Sequence, residues 1–256
     1  MTPWASQIDP DNLFNEYPRP QMVRKNNFYN LNGVWELAKK DRLRFGVYLP
    51  NPVDNRKILV PFPAESAISG VMDTDYSNQN KSYIYRRRFV VPEELSGKDI
   101  LLHFGAVDWR CKVYVNGVET GMHEGGFDPF YFNITDALNP EGEQELVVHV
   151  YDPTIGGQMH GKQVLYPGVI SYCPSSGIWQ TVWFEGVEKT HIDDFLIVPD
   201  VDNSRVKITV YAENAGDNTE AEIEVYDGDT RVAVQAVAAG AEAVLPLTDP
   251  KLWSPE

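Results

Sequence analysis

From Leu31 onward the chain is written in short runs rich in Val, Ile, Phe, Tyr and Trp, separated by Gly, Pro, Asn and Asp at intervals of roughly ten residues. Such punctuation belongs to an antiparallel β-sandwich rather than to helices. Strands are predicted at 34–38, 57–60, 82–91, 100–104, 108–115, 130–133, 145–151 and 178–186. Two of them alternate cleanly. Cys111, Val113 and Val115 share one face and Arg110, Lys112 and Tyr114 the other, while Leu146, Val148 and Val150 oppose Glu145, Val147 and His149. Asn116-Gly117 is the strongest hairpin signal, because both residues tolerate the positive φ of a type I′ turn. Only 135–138, with Thr135 or Asn133 as cap, and 92–95 read as single helical turns.

Three segments follow from this pattern. Residues 1–30 are polar, carry Pro3, Pro10, Pro18 and Pro20, and hold no sustained period, so they are expected to wrap a larger body as an extended leader. Residues 31–188 form the first sandwich. Residues 189–256 hold shorter, more acidic strands, poorer in aromatics, at 191–198, 206–213, 220–226, 231–237 and 241–247. Their turns are Asp202-Asn203-Ser204, Gly216-Asp217-Asn218 and Asp227-Gly228-Asp229. An immunoglobulin-like sandwich takes about seven strands and this segment offers about five, so it is expected to be incomplete, either cut short or finished by strands from elsewhere.

Composition narrows the function classes. A hydrophobic fraction of 43% with 23% charged residues in 256 is that of a folded chain with a real core. Lys plus Arg total 22 against 37 Asp plus Glu, a net charge of -15, so the surface field repels polyanions and no nucleic-acid partner is expected. The longest weakly polar stretch, 232–247, contains Gln235 and Glu242 and is too short and too polar to span a bilayer, so no membrane partner is expected either. The N-terminus has neither a cationic start nor an apolar run, the marks of an export signal. Cys111 and Cys173 read as plain free thiols. The compartment stays open: periplasmic or secreted, or cytoplasmic, in a bacterium.

Active-site grammar is mostly missing. There is no Gly-x-Ser-x-Gly elbow, His-Glu-x-x-His helix, EF-hand loop or Cys/His metal spacing, and the five histidines are scattered. No metal and no cofactor is expected. Gly156 and Gly161-Lys162 have the frame of a phosphate loop, but Gln163 replaces the Ser or Thr that binds magnesium, and Pro167 stands where a helix is required. The stretch from Asp152 to Gly177 holds no convincing element, and loops of that length in compact domains are usually functional or disordered. The glycosylation sequons at Asn80 and Asn133 are what chance supplies. Acidic residues abound, but abundance does not identify the carboxylate pair of a glycosidase.

Several motifs occur in order: Leu31-Asn-Gly-Val-Trp35, Val60-Pro61, Tyr85-Arg-Arg87, Val113-Tyr-Val-Asn-Gly117, Gly121-Met-His-Glu-Gly-Gly-Phe-Asp-Pro-Phe130 and Ile134-Thr-Asp-Ala-Leu138. Ser176-Gly-Ile-Trp-Gln-Thr-Val-Trp183, Ile192-Asp-Asp-Phe-Leu-Ile-Val-Pro-Asp200 and Leu252-Trp-Ser-Pro-Glu256 continue the series. Together they resemble the N-terminal half of glycoside hydrolase family 2, the group of β-galactosidases, β-glucuronidases and β-mannosidases.

The resemblance implies an all-β chain: a jelly-roll, galactose-binding-like sandwich followed by an incomplete immunoglobulin-like one. In the family a TIM barrel comes next and carries both catalytic glutamates, which cleave terminal β-linked sugars with retention. No catalytic residue is therefore assigned here. Sandwich loops can wall one side of a barrel mouth and hold a terminal sugar jointly with the barrel. In some members a polar residue just after the strand matching 145–151 touches substrate, which points to Asp152; an Asp closing a turn before Pro153 is the other open reading. His160, Tyr166 and Tyr172, with Lys162 nearby, are candidates to contact a pyranose ring. Trp179 reads as core, as do Trp35, Trp109 and Trp183. The alternatives are a stand-alone carbohydrate-binding module, or a structural element of a homo-oligomer.

Overall fold

The computed structural model describes residues 3–19, 21–24, 28–41, 56–76 and 81–255; the predicted sequon at Asn80 begins outside them. The chain divides into two compact units, Met1–Gly186 and Val187–Glu256. The strands of the first, in chain order, are β1 (Phe28–Asn30), β2 (Gly33–Asp41), β3 (Arg56–Val60), β4 (Lys81–Val90), β5 (Asp99–Phe104), β6 (Val107–Asp108), β7 (Arg110–Val115), β8 (Val118–Glu124), β9 (Phe130–Asn133), β10 (Glu143–Tyr151), β11 (Gly177–Ile178) and β12 (Val182–Val187).

A six-stranded sheet, β3-β2-β4-β10-β7-β8, faces a four-stranded one, β1-β12-β5-β9, and β6 and β11 make a short ladder of their own. Every named pair is antiparallel. The core follows from alternation. The larger sheet contributes Trp35, Leu37, Tyr83, Tyr85, Cys111, Val113, Leu146 and Val148, all buried, against Leu102, Phe104, Val182 and Phe184 from the smaller one. At about 25 cal/mol per Å² of apolar surface, aromatic side chains of this size dominate the stabilisation.

Each predicted strand of this unit overlaps an observed one. The predicted strand 108–115 is interrupted at Trp109 into β6 and β7, and 178–186 divides into β11 and β12. Strand β8 was not predicted, because its half-exposed, polar sequence gives no alternation. It is the second arm of the hairpin that Asn116-Gly117 opens, with φ of 50° and 82° as a type I′ turn requires. Single 3-10 turns stand at Glu93–Leu95 and Thr135–Ala137. Trp35 and Trp183 are core, whereas Trp109 and Trp179 are only half-buried. Both flank the two-residue β6–β11 ladder, next to its buried strands rather than within them.

The leader segment is held on this unit by a buried carboxylate. Tyr17 donates from its hydroxyl to Glu185 Oε2 at 2.8 Å, Arg24 pairs with Oε1, and His103 Nε2 lies 2.9 Å from Oε1 with its ring stacked on Trp183. Burial pushes the Glu185 carboxyl up, but the hydrogen bond and charge of His103, the charge of Arg24 and the Tyr17 hydroxyl outweigh it, and the net shift is downward.

The second unit contains β13 (His191–Asp200), β14 (Arg205–Glu213), β15 (Glu220–Asp227), β16 (Thr230–Ala238) and β17 (Glu242–Pro246). Sheet β13-β14-β17 and hairpin β15-β16 enclose a small core of Val206, Ile208, Val210, Ile223, Ala243 and Leu245. Leu196, Ile197 and Val198 of β13 are consecutive and exposed, so both faces of that strand lack cover.

Gly177 links the core to the loop that precedes it. Its φ is +95°, and a Cβ there would stand 1.9 Å from the Tyr85 hydroxyl oxygen. Gly177→Ala is expected to destabilise the unit by about 2–5 kcal/mol, the sum of backbone strain and overpacking. Adding Tyr85→Phe, which removes the clashing oxygen, is expected to restore part of that loss. Denaturant midpoints of the single and double variants check this; equal and additive losses would refute the contact.

Candidate functional site

Strand β10 ends at Tyr151, between Ser82 of β4 and Arg110 of β7, and delivers Asp152 to one end of the sandwich. The chain then loops until β11. Asp152 is 2% exposed and accepts four hydrogen bonds: from Thr154 N at 3.0 Å, Thr154 Oγ1 at 3.2 Å, Gln158 Nε2 at 2.8 Å and Ser176 Oγ at 2.8 Å. The bond to the backbone two residues on is an Asx turn, and the bond to Ser176 ties the start of the loop to its end.

Two more buried carboxylates share this task. Glu65 Oε2 accepts from Ser176 N at 2.9 Å. Asp108 Oδ2 accepts from Gln163 Nε2 at 3.1 Å, and Gln163 Oε1 in turn accepts from Ser175 N at 2.6 Å. Main-chain bonds then close the loop on itself, Tyr172 N to Lys162 O at 2.9 Å and Val164 N to Tyr172 O at 3.0 Å. A turn at Gly168–Ser171 forms the tip.

A founded base thus carries an apolar tip. Tyr166 is 80% exposed and Tyr172 64%, with Val169 and Ile170 open beside them. His160 is half-buried, and its carbonyl accepts from Gln163 N at 3.0 Å. Among the described residues no hydrogen bond or ring contact joins the side chains of Asp152, His160, Tyr166 and Tyr172. The backbone gathers them on one loop, Asp152 within its base and the tyrosines at its surface. Beside the base, Trp179 Nε1 donates to Gly126 O at 2.7 Å and meets Phe127 edge-on, while the Arg110 guanidinium lies 5.5 Å from the Trp109 ring centroid.

Asp108, Glu65 and Gln163 escaped the sequence reading. Within an unbroken strand Asp108 would share the outward face with Arg110 and Lys112; the break at Trp109 turns it inward instead. Gln163 registered only as the residue that spoils a phosphate loop. Burial pushes the Asp108 carboxyl up, the charges of Asp152 and Glu65 add to it, and the Gln163 bond opposes them; the result is about 7. Among the described residues no group of three His, Cys, Asp or Glu side chains is arranged to hold a metal ion, and no helix is long and apolar enough to cross a membrane.

Comparison with known proteins places this architecture. Residues 66–173 match the family described as glycosyl hydrolase 2 galactose-binding domain-like. A β-galactosidase of Thermoanaerobacter pseudethanolicus is 32% identical over 134 residues, which cover 52% of this chain and 17% of that protein. A β-glucuronidase of Paenibacillus borealis is 22% identical over 258 residues, covering 93% of this chain and 42% of its own. The solved β-glucuronidase of Ruminococcus gnavus superposes with a TM-score of 0.69 at 21% identity, over 91% of this chain and 41% of that one. The chain therefore spans less than half the length of these relatives. The matched residues contain the β4–β10 core pair and almost all of the carboxylate-founded loop.

The raised Asp108 carboxyl sets a pH dependence. The group starts from an ordinary value of 3.8 and reaches about 7 in the folded chain. The unfolded chain thus loses its proton first, and the stability present below about pH 4 declines up to about pH 7. Asp108→Asn, a fixed mimic of the neutral acid, is expected to raise stability at pH 8 by on the order of 2 kcal/mol and to flatten that decline. Denaturant midpoints between pH 4 and 8 check it, and a variant whose curve runs parallel to the parent would disprove it.

Proposed function

We propose that this chain is the non-catalytic N-terminal portion of a family 2 exo-glycosidase. Its loop 152–177 helps to wall a sugar site whose other side, with the acid/base and nucleophile of a retaining mechanism, belongs to a TIM barrel. The observation that carries the reading is the loop itself. Its base is fixed by Asp152, Asp108 and Glu65, and its tip offers Tyr166 and Tyr172 to whatever lies outside. Loops on a rigid scaffold suit recognition, and tyrosines give apolar area with a polar tip at low entropy cost.

Two further points support it. Retaining hydrolysis needs two carboxyl groups about 5 Å apart with access to substrate. The carboxylates at this end are buried and committed to hydrogen bonds that hold the loop. The uncovered apolar residues of β13, with a second unit split between a three-stranded sheet and a hairpin, favour cover by further polypeptide, as an immunoglobulin-like sandwich completed by additional strands would give. The relatives bearing galactosidase and glucuronidase names extend well beyond the matched region.

The 256-residue chain is expected to give no turnover of aryl β-galactosides, β-glucuronides or β-mannosides in a sensitive fluorogenic assay. Hydrolysis that survives purification of this chain would overturn the reading. A stand-alone carbohydrate-binding module is the second reading, favoured by the same exposed tyrosines. Oligosaccharide titration separates the two: a wall should leave Tyr166→Ala and Tyr172→Ala without effect on solution binding, whereas a module should lose affinity about tenfold with either.

A further inference from the structure

Strand β4 carries three consecutive arginines whose fates differ. Arg86 and Arg88 point outward and have carboxylates, Glu36 and Glu145 for the first and Glu143 for the second. Arg87 lies on the inward face with Tyr83, Tyr85 and Phe89. Its Nη1 donates to Val34 O at 2.5 Å, but its Nε is buried with no acceptor. Burial pushes this guanidinium below its ordinary value, and the charge of Asp11 works against that. An arginine so placed has donors in a fixed fork and too few acceptors for them.

The fork borders a cavity of about 200 Å³ between the leader segment and the start of β2. Asp11, Asn15, Asn30 and Asn32 line it together with Arg87, and Pro10 and Val34 supply apolar surface. The leader is held there by real bonds: Asn30 Nδ2 donates to Leu13 O at 2.6 Å and to Asn15 Oδ1 at 2.8 Å, and Asn32 Nδ2 to Leu13 O at 3.3 Å. The Asn30 and Asn32 oxygens each accept one backbone N–H, which leaves each a second lone pair.

We propose that this cavity binds one neutral polyhydroxylated ring of monosaccharide size, with Arg87 donating to adjacent hydroxyls and Asp11 accepting from them. Drug-sized ligands fill about 300–1,000 Å³, so this volume suits a single ring or less. The charges select a neutral ligand. An anion would meet Asp11 and the overall net charge of -15, and a cation would meet Arg87. Hydroxyl groups both donate and accept, which is what a wall of guanidinium, carboxylate and carboxamide oxygens demands. No residue of loop 152–177 lines this cavity, so the proposal does not rest on what that loop contacts.

The test is a nitrogen-15 NMR titration of the whole chain with D-galactose, D-glucose and D-glucuronate. At least one neutral sugar is expected to bind with an affinity of about 1–10 mM, shifting the amides of Asn15, Gly33 and Val34. Arg87→Gln and Asp11→Asn should each weaken it about tenfold, the loss of one charge-assisted hydrogen bond. Asp11 is exposed on the rim, so its variant keeps the test valid if Arg87→Gln fails to fold. The proposal is overturned if neither D-galactose nor D-glucose produces shifts at about 100 mM. Shifts confined to residues 152–177, glucuronate binding tighter than both neutral sugars, or unchanged affinity in Asp11→Asn would overturn it equally.

Discussion

A loop that crosses the end of a β-sandwich leaves backbone and side-chain donors with no ladder to join, and each donor buried without an acceptor costs on the order of 1–3 kcal/mol. Here three carboxylates supply the acceptors. Asp152 takes donors at the start of the loop and at Ser176, Glu65 takes the Ser176 amide, and Asp108 holds Gln163 midway. Everything the loop offers to solvent depends on those anchors, because the tip contributes few contacts of its own. The sandwich provides the rigidity: Asp152 follows directly on β10, which is paired on both sides.

The same chemistry has opposite electrostatic outcomes at two of the buried acids of this unit, Glu185 and Asp108. Glu185 is surrounded by His103, Arg24 and Tyr17, and these partners outweigh the desolvation that burial imposes. Asp108 has a single neutral donor in Gln163 and the like charges of Asp152 and Glu65 nearby, so burial prevails. One carboxylate is held charged as a clasp for the leader, and the other is held near neutrality under the loop. The difference lies in the number and charge of donors that reach each acid, rather than in depth of burial, since Glu185 is 1% exposed and Asp108 2%.

The sandwich was legible because its signal is local. Alternation in 111–115 and 145–150 fixes which side chains face inward, and Asn116-Gly117 fixes a turn, so each strand announces itself without its neighbours. Strand β8 was not legible, since it lies at the edge of its sheet and has no covered apolar face to leave a period. The candidate loop was visible as a length without an element, and its tyrosines as types suited to recognition. Its foundations were not, because Glu65, Asp108 and Ser176 are brought together by contacts spanning much of the chain. Trp109 and Trp179 were misread as core for a related reason: type and neighbours favour burial, but the ladder they flank is only two residues long on each side.

The two units differ in how completely they satisfy their own strands, and this bears on the reading of the chain as one flank of a larger protein. In the first, β5 and β12 are buried along their whole length, so both of their faces are covered. In the second, β13 exposes three consecutive aliphatic residues, which an alternating strand does only where neither face is covered. An uncovered edge strand of that composition is a standing invitation to pair or aggregate. Natural sheets usually guard such an edge with charge or proline, and β13 places Asp193, Asp194, Pro199 and Asp200 outside the apolar run rather than within it. Cover by further strands, as the proposed function has it, would account for both the exposure and the unguarded run.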